Sequence, residues 1–268
     1  MKVIMSANKI RLVIFDWAGT TIDHGCFAPI SAFIKAFQAC GVELTPAQAR
    51  GPMGLHKKDH IRSLFQLDQI AAQWEATHER PWSEEDVEQI YQTFMPLQVK
   101  EAQDYTDLVP GLCDTISRLR ERGIKIGSTT GYPRIVAEPV LAAAKAQGYD
   151  PDYSMCADEV PAGRPAPWMI YRNMEALNVF PPTSVVKVGD TVPDIEAGLN
   201  AGTWTVGLTQ TGSEVGLTVA EFEALDNDQK ASVLQTAETK LKNAGAHFVI
   251  PTLKTLPEII EQIEAGAH

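Results

Sequence analysis

Short apolar segments rich in β-branched residues recur along the chain, separated by stretches with helical spacing. Residues 11–17, 124–130, 185–190 and 203–208 each predict a buried strand, because near-continuous Val, Ile, Leu and Thr is typical of sheets covered on both faces. Strands that alternate with helices in this way favour parallel pairing. The pattern therefore predicts a parallel α/β sheet.

The first two predicted strands are more than a hundred residues apart, whereas a crossover needs only about a dozen. Residues 28–41 in this gap carry apolar side chains at helical spacing and end at Gly41, a favourable helix stop. A second helix is predicted after Thr45, because Gln48 lies three residues later in a capping-box pattern. The gap therefore holds an insertion that is helical rather than extended.

A third helix of the insertion is predicted to begin after Ser83, where several acidic residues match the positive end of a helix dipole. We therefore predict an all-helical cap domain at residues 24–101, inserted into an α/β core. The core is predicted to be a Rossmann-like parallel sheet formed by residues 1–23 and 102–268.

The charge and cysteine content narrow the possible partners and location. A formal charge of −11 argues against a nucleic-acid or acidic-membrane surface, which needs an extended basic field. The four cysteines are scattered, with no Cys-x-x-Cys pair, so a reduced cytoplasm is expected rather than a disulfide framework or zinc site. The N-terminal stretch breaks its apolar residues too soon for a signal-peptide core, and no later run is long enough to span a membrane.

Polar and charged residues follow the predicted strands at the edge where a doubly wound sheet binds ligands. Asp16 ends the first strand, Thr130 the second, and Asp190 with Asp194 a later one, while Arg164 lies in a loop between them. Each alone is more often a cap or turn residue. Together they have the composition of a phosphoryl-transfer site. Two acidic strand ends can share Mg²⁺. An Arg and a hydroxyl can hold phosphoryl oxygens while a carboxylate attacks phosphorus.

At these residues the chain resembles the haloacid dehalogenase superfamily. DWAGT at residues 16–20 matches its nucleophile loop, STTG at 128–131 its hydroxyl loop, Arg164 its basic residue and GDTVPD at 189–194 its acidic loop. The chain departs from the pattern at Ala18, where most phosphatases of the superfamily have an acid/base Asp. This departure argues against ordinary phosphate-ester hydrolysis.

The predicted cap contains a Gly- and Pro-rich turn at residues 51–54, followed by Lys57 and Lys58. Taken alone, such a lysine pair is usually a solvated surface charge. However, the segments FDWAGTTID, PMGL, GSTTGY, DEVPAGRPAPWM and KVGDT resemble, in order and spacing, the phosphonoacetaldehyde hydrolase family of this superfamily. The resemblance implies that Asp16 is a nucleophile and that Lys57, rather than Lys58, forms a Schiff base.

The resemblance also implies roles for the other candidate residues. Asp16, Asp190 and the backbone carbonyl of Ala18 would bind Mg²⁺, and Asp194 would organise the groups around it. Thr130 and Arg164 would hold the phosphoryl group. The residues implied to lie close to the substrate are Met53, His60, Tyr132 and Cys26. A homodimer is implied as well.

An imine at Lys57 would explain why an acid at position 18 is dispensable. Cleavage of a carbon–phosphorus bond leaves a carbanion, which needs an electron sink rather than a proton, and an imine supplies that sink. Two other functions stay open from the sequence. One is an ordinary phosphatase or phosphomutase of the superfamily, and the other is a catalytically silent phosphate- or metal-binding module.

Overall fold

The computed structural model describes residues 9–266. The first eight residues, on which part of the argument against a signal peptide rests, lie outside the described residues. None of the helices that are described is both long enough and apolar enough to span a bilayer.

A six-stranded parallel sheet forms the centre of the fold, which confirms the predicted α/β class. Its spatial order is β3-β2-β1-β4-β5-β6. The strands, β1 to β6 in chain order, are Leu12–Phe15, Lys125–Thr130, Tyr153–Cys156, Val185–Gly189, Trp204–Leu208 and Phe248–Ile250. The four strands predicted from the sequence are β1, β2, β4 and β5. The two edge strands were not predicted, because each has only three or four residues and is partly exposed, which leaves little apolar periodicity to detect.

Six helices lie between β1 and β2, and the first five of them occupy the region where the helical insertion was predicted; we call these five the helical insertion. These helices, α1 to α5, are Phe27–Gln38, Pro46–Arg50, Lys57–Phe65, Asp68–His78 and Glu84–Asp104. The remaining helices, α6 to α12, are Leu112–Glu121, Arg134–Ala146, Trp168–Ala176, Val192–Ala201, Val219–Ala224, Asn227–Asn243 and Leu256–Glu264.

The helix starts in the insertion follow the predicted capping chemistry. Thr45 accepts a hydrogen bond from the backbone N–H of Gln48 at 3.2 Å, and the Gln48 side chain accepts one from the Thr45 N–H at 2.9 Å. Ser83 forms a similar box with Asp86 at the start of α5. Helix α5 then continues to Asp104, so the predicted boundary after residue 101 falls inside its last turn. The division into core and cap domains stays a prediction.

The insertion has its own apolar core, built largely from aromatic side chains. Phe33 on α1 stacks on Phe94 of α5 with ring centroids 4.3 Å apart, and Phe65 meets Trp74 edge-on at 5.1 Å. These side chains are fully buried, and burial of each large aromatic contributes about 2–3 kcal/mol. The helix that begins at Lys57 therefore packs, through Phe65, against the apolar core of the insertion.

Candidate active site

The candidate site lies at the carboxyl edge of the three central strands. Asp16 directly follows β1, Thr130 is the last residue of β2, and Asp190 directly follows β4. Because β2, β1 and β4 are neighbours and parallel, the ends of these strands meet at one edge. The sequence pattern that placed a polar residue after each strand thus corresponds to one site.

A small cavity of about 30 Å³ opens between this edge and the helical insertion. Most of the predicted site residues line it: Asp16, Ala18, Cys26, Met53, Lys57, Thr130, Tyr132 and Arg164. Asp190, Asp194 and His60 do not line it. The core therefore supplies the nucleophile candidate and the insertion supplies the lysine candidate to the same space.

Arg164 joins two of the carboxylates beneath the cavity. Its Nη1 donates to Asp16 Oδ1 at 2.8 Å and also contacts Asp194 Oδ1. Its Nε is buried without a hydrogen-bond partner among the described residues, and Arg164 lines the cavity. Thr130 Oγ1 accepts a bond from the Tyr132 N–H at 3.1 Å, which leaves its own hydroxyl proton for a ligand oxygen.

Asp194 is enclosed by donors and cations. Lys187 Nζ lies 2.7 Å from its Oδ1, and the Thr191 hydroxyl donates to its Oδ2 at 2.6 Å. Burial by itself would raise the pKa of Asp194, but Arg164 and Lys187 lower it to about 2. Both carboxylate oxygens of Asp194 therefore have partners within the protein, and one of them is shared with Arg164.

Asp16, Asp190 and Asp194 could together hold a metal ion, since one oxygen from each lies within 4.8 Å of the others. Asp190 accepts bonds from the Thr20 hydroxyl at 3.0 Å and the Ser213 N–H at 2.8 Å. Burial, together with Asp16 and Asp194 nearby, raises the pKa of Asp190 to about 8. A small divalent cation would favour the ionised form of Asp190, and hard carboxylate oxygens are the ligands that such a cation prefers.

The two adjacent lysines have opposite environments. Lys57 is 5% exposed, and its Nζ lies 5.4 Å from the ring centroid of Phe33 and 5.7 Å from that of Tyr132. Burial lowers the pKa of Lys57 to about 8, because the charged amine is poorly solvated there. Lys58 is partly exposed and pairs with Glu88 at 2.6 Å. Only Lys57 therefore has the environment of an amine nucleophile.

Three of the residues expected near the substrate differ in their access to the cavity. Cys26 and Tyr132 line it, and burial raises the pKa of both well above the usual range, so they stay protonated. His60 lies outside the lining. Its ring stacks on Phe33 with centroids 3.8 Å apart, and Nε2 lies 2.9 Å from the Ala49 carbonyl oxygen. Burial lowers the pKa of His60 far below its usual value, so it is neutral beside Lys57.

Comparison with known proteins matches this geometry to a family. Residues 10–202 match the profile of the haloacid dehalogenase-like hydrolases. A phosphonoacetaldehyde hydrolase of Syntrophobacter fumaroxidans is 46% identical over 96% of this chain and 92% of its own length. The chain belongs to the phosphonoacetaldehyde hydrolase family. Another relative of that name, from Bacillus cytotoxicus, is also 46% identical, over 96% of this chain and 97% of its own.

A solved structure supports the same family. The crystal structure of a phosphonoacetaldehyde hydrolase-like protein from Oleispira antarctica has a TM-score of 0.97 and 39% identity, covering all of this chain and 97% of that one. The fold described above is therefore shared with this solved relative.

One charged residue of the site, Lys187, was not predicted from the sequence of this member of the phosphonoacetaldehyde hydrolase family. Lys187 is fully buried within β4, and it donates to the Val188 carbonyl at 2.8 Å in addition to its pair with Asp194. The available signal was a single lysine inside the apolar run VVKVG. A charge in a strand buried on both faces needs a partner, and the acidic loop two residues later supplied a candidate.

Proposed function

We propose that this chain hydrolyses the carbon–phosphorus bond of phosphonoacetaldehyde and releases acetaldehyde and phosphate. The observation that carries the proposal is a buried lysine, Lys57, facing the same cavity as Asp16 and Arg164, with Ala18 where a phosphatase would keep its acid. The names of the similar proteins support the substrate.

In the proposed first step, neutral Lys57 attacks the aldehyde carbon, and loss of water gives an imine. A pKa of about 8 leaves about one tenth of Lys57 unprotonated at pH 7. Neutral His60 and protonated Tyr132 carry no negative charge, so neither one stabilises the protonated form of Lys57 as an ion-pair partner. Met53 contributes part of the cavity wall beside Lys57.

In the second step, an Asp16 oxygen attacks phosphorus and the carbon–phosphorus bond breaks. The bonding electrons move onto the protonated imine, which becomes an enamine on Lys57. Arg164 and Thr130 hold the phosphoryl oxygens during transfer. The enamine takes up a proton and is hydrolysed to acetaldehyde and free Lys57, while water cleaves the aspartyl phosphate at Asp16.

We propose that Mg²⁺ is the metal, held by Asp16, Asp190 and the Ala18 carbonyl, with Asp194 keeping Arg164 in place. Hard carboxylate and carbonyl oxygens are the ligands that Mg²⁺ prefers. The ion would neutralise negative charge on the phosphoryl oxygens. A homodimer and a cytoplasmic location stay predictions, and light scattering of the purified protein would test the first.

The deciding experiment measures acetaldehyde and phosphate released from phosphonoacetaldehyde, with p-nitrophenyl phosphate as the comparison substrate. Equal amounts of both products, and little cleavage of the ester, are expected. Phosphate release from the ester alone would favour an ordinary phosphatase. No release from either substrate, in protein that binds phosphate or Mg²⁺, would favour a silent binding module.

A further inference from the structure

Arg50 is a charged residue that the proposed chemistry does not use, and it joins the helical insertion to the loop that follows β5. It is the last residue of α2. Its Nη1 donates to the Gly25 carbonyl at 2.6 Å and to the Ser213 carbonyl at 3.2 Å, and its Nη2 donates to the Gly216 carbonyl at 3.3 Å. One guanidinium thus binds the segment leading into α1 and the loop that follows β5.

The surroundings of this guanidinium are shaped to receive it. The ring of Phe27 lies 5.4 Å from Cζ of Arg50, a cation–π distance. Gly216 has a φ of +62°, and a Cβ placed on it would lie 2.5 Å from Cζ of Arg50. A side chain at position 216 would therefore displace the guanidinium, so glycine is required by both the backbone conformation and the close approach.

The loop that Arg50 binds also contacts one candidate metal ligand, Asp190, and the loop that follows β1. The Ser213 N–H donates to Asp190 Oδ2 at 2.8 Å, while the carbonyl of the same residue accepts from Arg50. The Thr211 hydroxyl donates to the Gly19 carbonyl in the loop after β1 at 2.7 Å. The 211–216 loop is therefore held between Arg50 of the helical insertion on one side and Asp190 and the loop after β1 on the other.

We propose that Arg50 is the residue that holds the helical insertion closed over the active site and, through Ser213, holds Asp190 in position. It is a positioning residue, because its nearest contacts are backbone carbonyls rather than the cavity. Charge-assisted bonds to three carbonyls are stronger than neutral ones. The kinetic consequence rests on the proposed function, whereas the closure itself does not.

The cysteines provide a direct measure of closure. Cys26 is 2% exposed and lines the cavity between insertion and sheet, so opening of the insertion exposes it. Cys156 is fully buried at the end of β3 and, unlike Cys26, is not among the residues that line the cavity. Because it is held within the sheet beside Thr130, we expect it to become exposed when the sheet unfolds. Cys113 is exposed already. Labelling of Cys26 therefore reports opening of the insertion, labelling of Cys156 reports unfolding, and labelling of Cys113 reports the reactivity of the reagent.

The experiment compares alkylation by N-ethylmaleimide in the parent protein and in Arg50→Met, read by peptide mass spectrometry without substrate. Met keeps much of the stem volume and removes every donor. We expect the ratio of Cys26 to Cys156 labelling rates to rise at least about tenfold, equivalent to about 1.4 kcal/mol of closure. Cys113 should label at the same rate in both proteins. Arg50→Lys keeps one point charge and should give an intermediate ratio.

Two further variants distinguish the loss of the Arg50 contacts from a general effect on stability. Gly216→Ala leaves Arg50 intact but crowds its guanidinium, and it should raise the same ratio. Arg62→Met is the matched control, because the described ion pairs of Arg62 are with Asp59 and Glu84, both within the insertion. It should leave the ratio unchanged. An unchanged ratio in Arg50→Met, or a parallel rise of Cys26 and Cys156 labelling, would overturn the proposal.

Kinetics then link closure to the reaction. If the parent cleaves phosphonoacetaldehyde, Arg50→Met should lower kcat/KM at least about tenfold, and Arg50→Lys should recover part of the loss. Should Arg50→Met open the insertion yet cleave at the parent rate, the coupling to Asp190 would be wrong. Should the parent cleave nothing, the proposed function would fail while the labelling ratio still decides whether Arg50 holds the insertion closed.

Discussion

Protonation of Lys57 provides a quantitative test of the proposed chemistry. A lysine with the ordinary pKa of 10.5 is neutral in about 3 of 10,000 molecules at pH 7, whereas Lys57, with a pKa of about 8, is neutral in about one tenth. The gain is about 300-fold in reactive amine, or about 3 kcal/mol. It arises because burial among Phe33, Phe94 and Tyr132 penalises the charged form.

We therefore expect kcat/KM for acetaldehyde release to rise about tenfold per pH unit below pH 8 and to level off above pH 9. The sign follows from the chemistry, because only the deprotonated amine attacks the aldehyde. The assay uses substrate well below KM and saturating Mg²⁺, which keeps Asp190 ionised over the same range. Cyanoborohydride trapping of the imine on the Lys57 peptide should follow the same curve.

The lysine variants serve as controls for this profile. Lys57→Arg cannot become neutral or form an imine, so it should lose essentially all cleavage while remaining folded. Lys58→Arg should keep both the rate and the inflection, because Lys58 pairs with Glu88 outside the cavity. A flat profile between pH 6 and 9, an inflection near pH 10.5, or a substrate-dependent label on Lys58 would refute the reasoning.

Three further predictions concern the carboxylates and the buried lysine of β4. Asp16→Asn should lower phosphate release about 10⁴-fold or more yet still form the imine, since an amide cannot attack phosphorus; phosphate release near the parent rate would contradict this. Asp190→Ala should abolish Mg²⁺-dependent turnover and Mg²⁺ binding by calorimetry without unfolding the protein; undiminished parent activity in excess chelator would refute the metal role. Lys187→Met should lower the free energy of unfolding by about 3–5 kcal/mol in urea titrations, because Asp194 loses a buried partner. The control Lys242→Met, at an exposed pair, should change the free energy of unfolding by less than about 1 kcal/mol. Equal effects of the two substitutions would contradict the prediction.

The sequence by itself determined the class of fold and the edge at which the site lies. Buried parallel strands need near-continuous apolar runs, so β1, β2, β4 and β5 could be read directly. Because parallel strands end at a common edge, Asp16 and Asp190 could be placed in one site without coordinates. Ala18 argued against ordinary phosphate-ester hydrolysis, because an acid usually occupies that position. The resemblance to a family implied a Schiff base at Lys57.

Only the tertiary structure decided which charged side chains are buried. Lys57 and Lys58 are adjacent in the same helix, yet one faces the cavity and the other Glu88. Lys187 was not recognised although its partner Asp194 lies in the next helix, because a run of strand residues does not show which side chain of the following segment turns back onto it. Arg50 was not recognised because Ser213, one of its partners, is remote from it in the chain. The charge state and pKa of a side chain depend on everything packed around it, and helical or strand periodicity records only one face of one element. Local pattern therefore located the strands and their ends, while the packing of the helical insertion on the sheet determined the environment of each ionisable group.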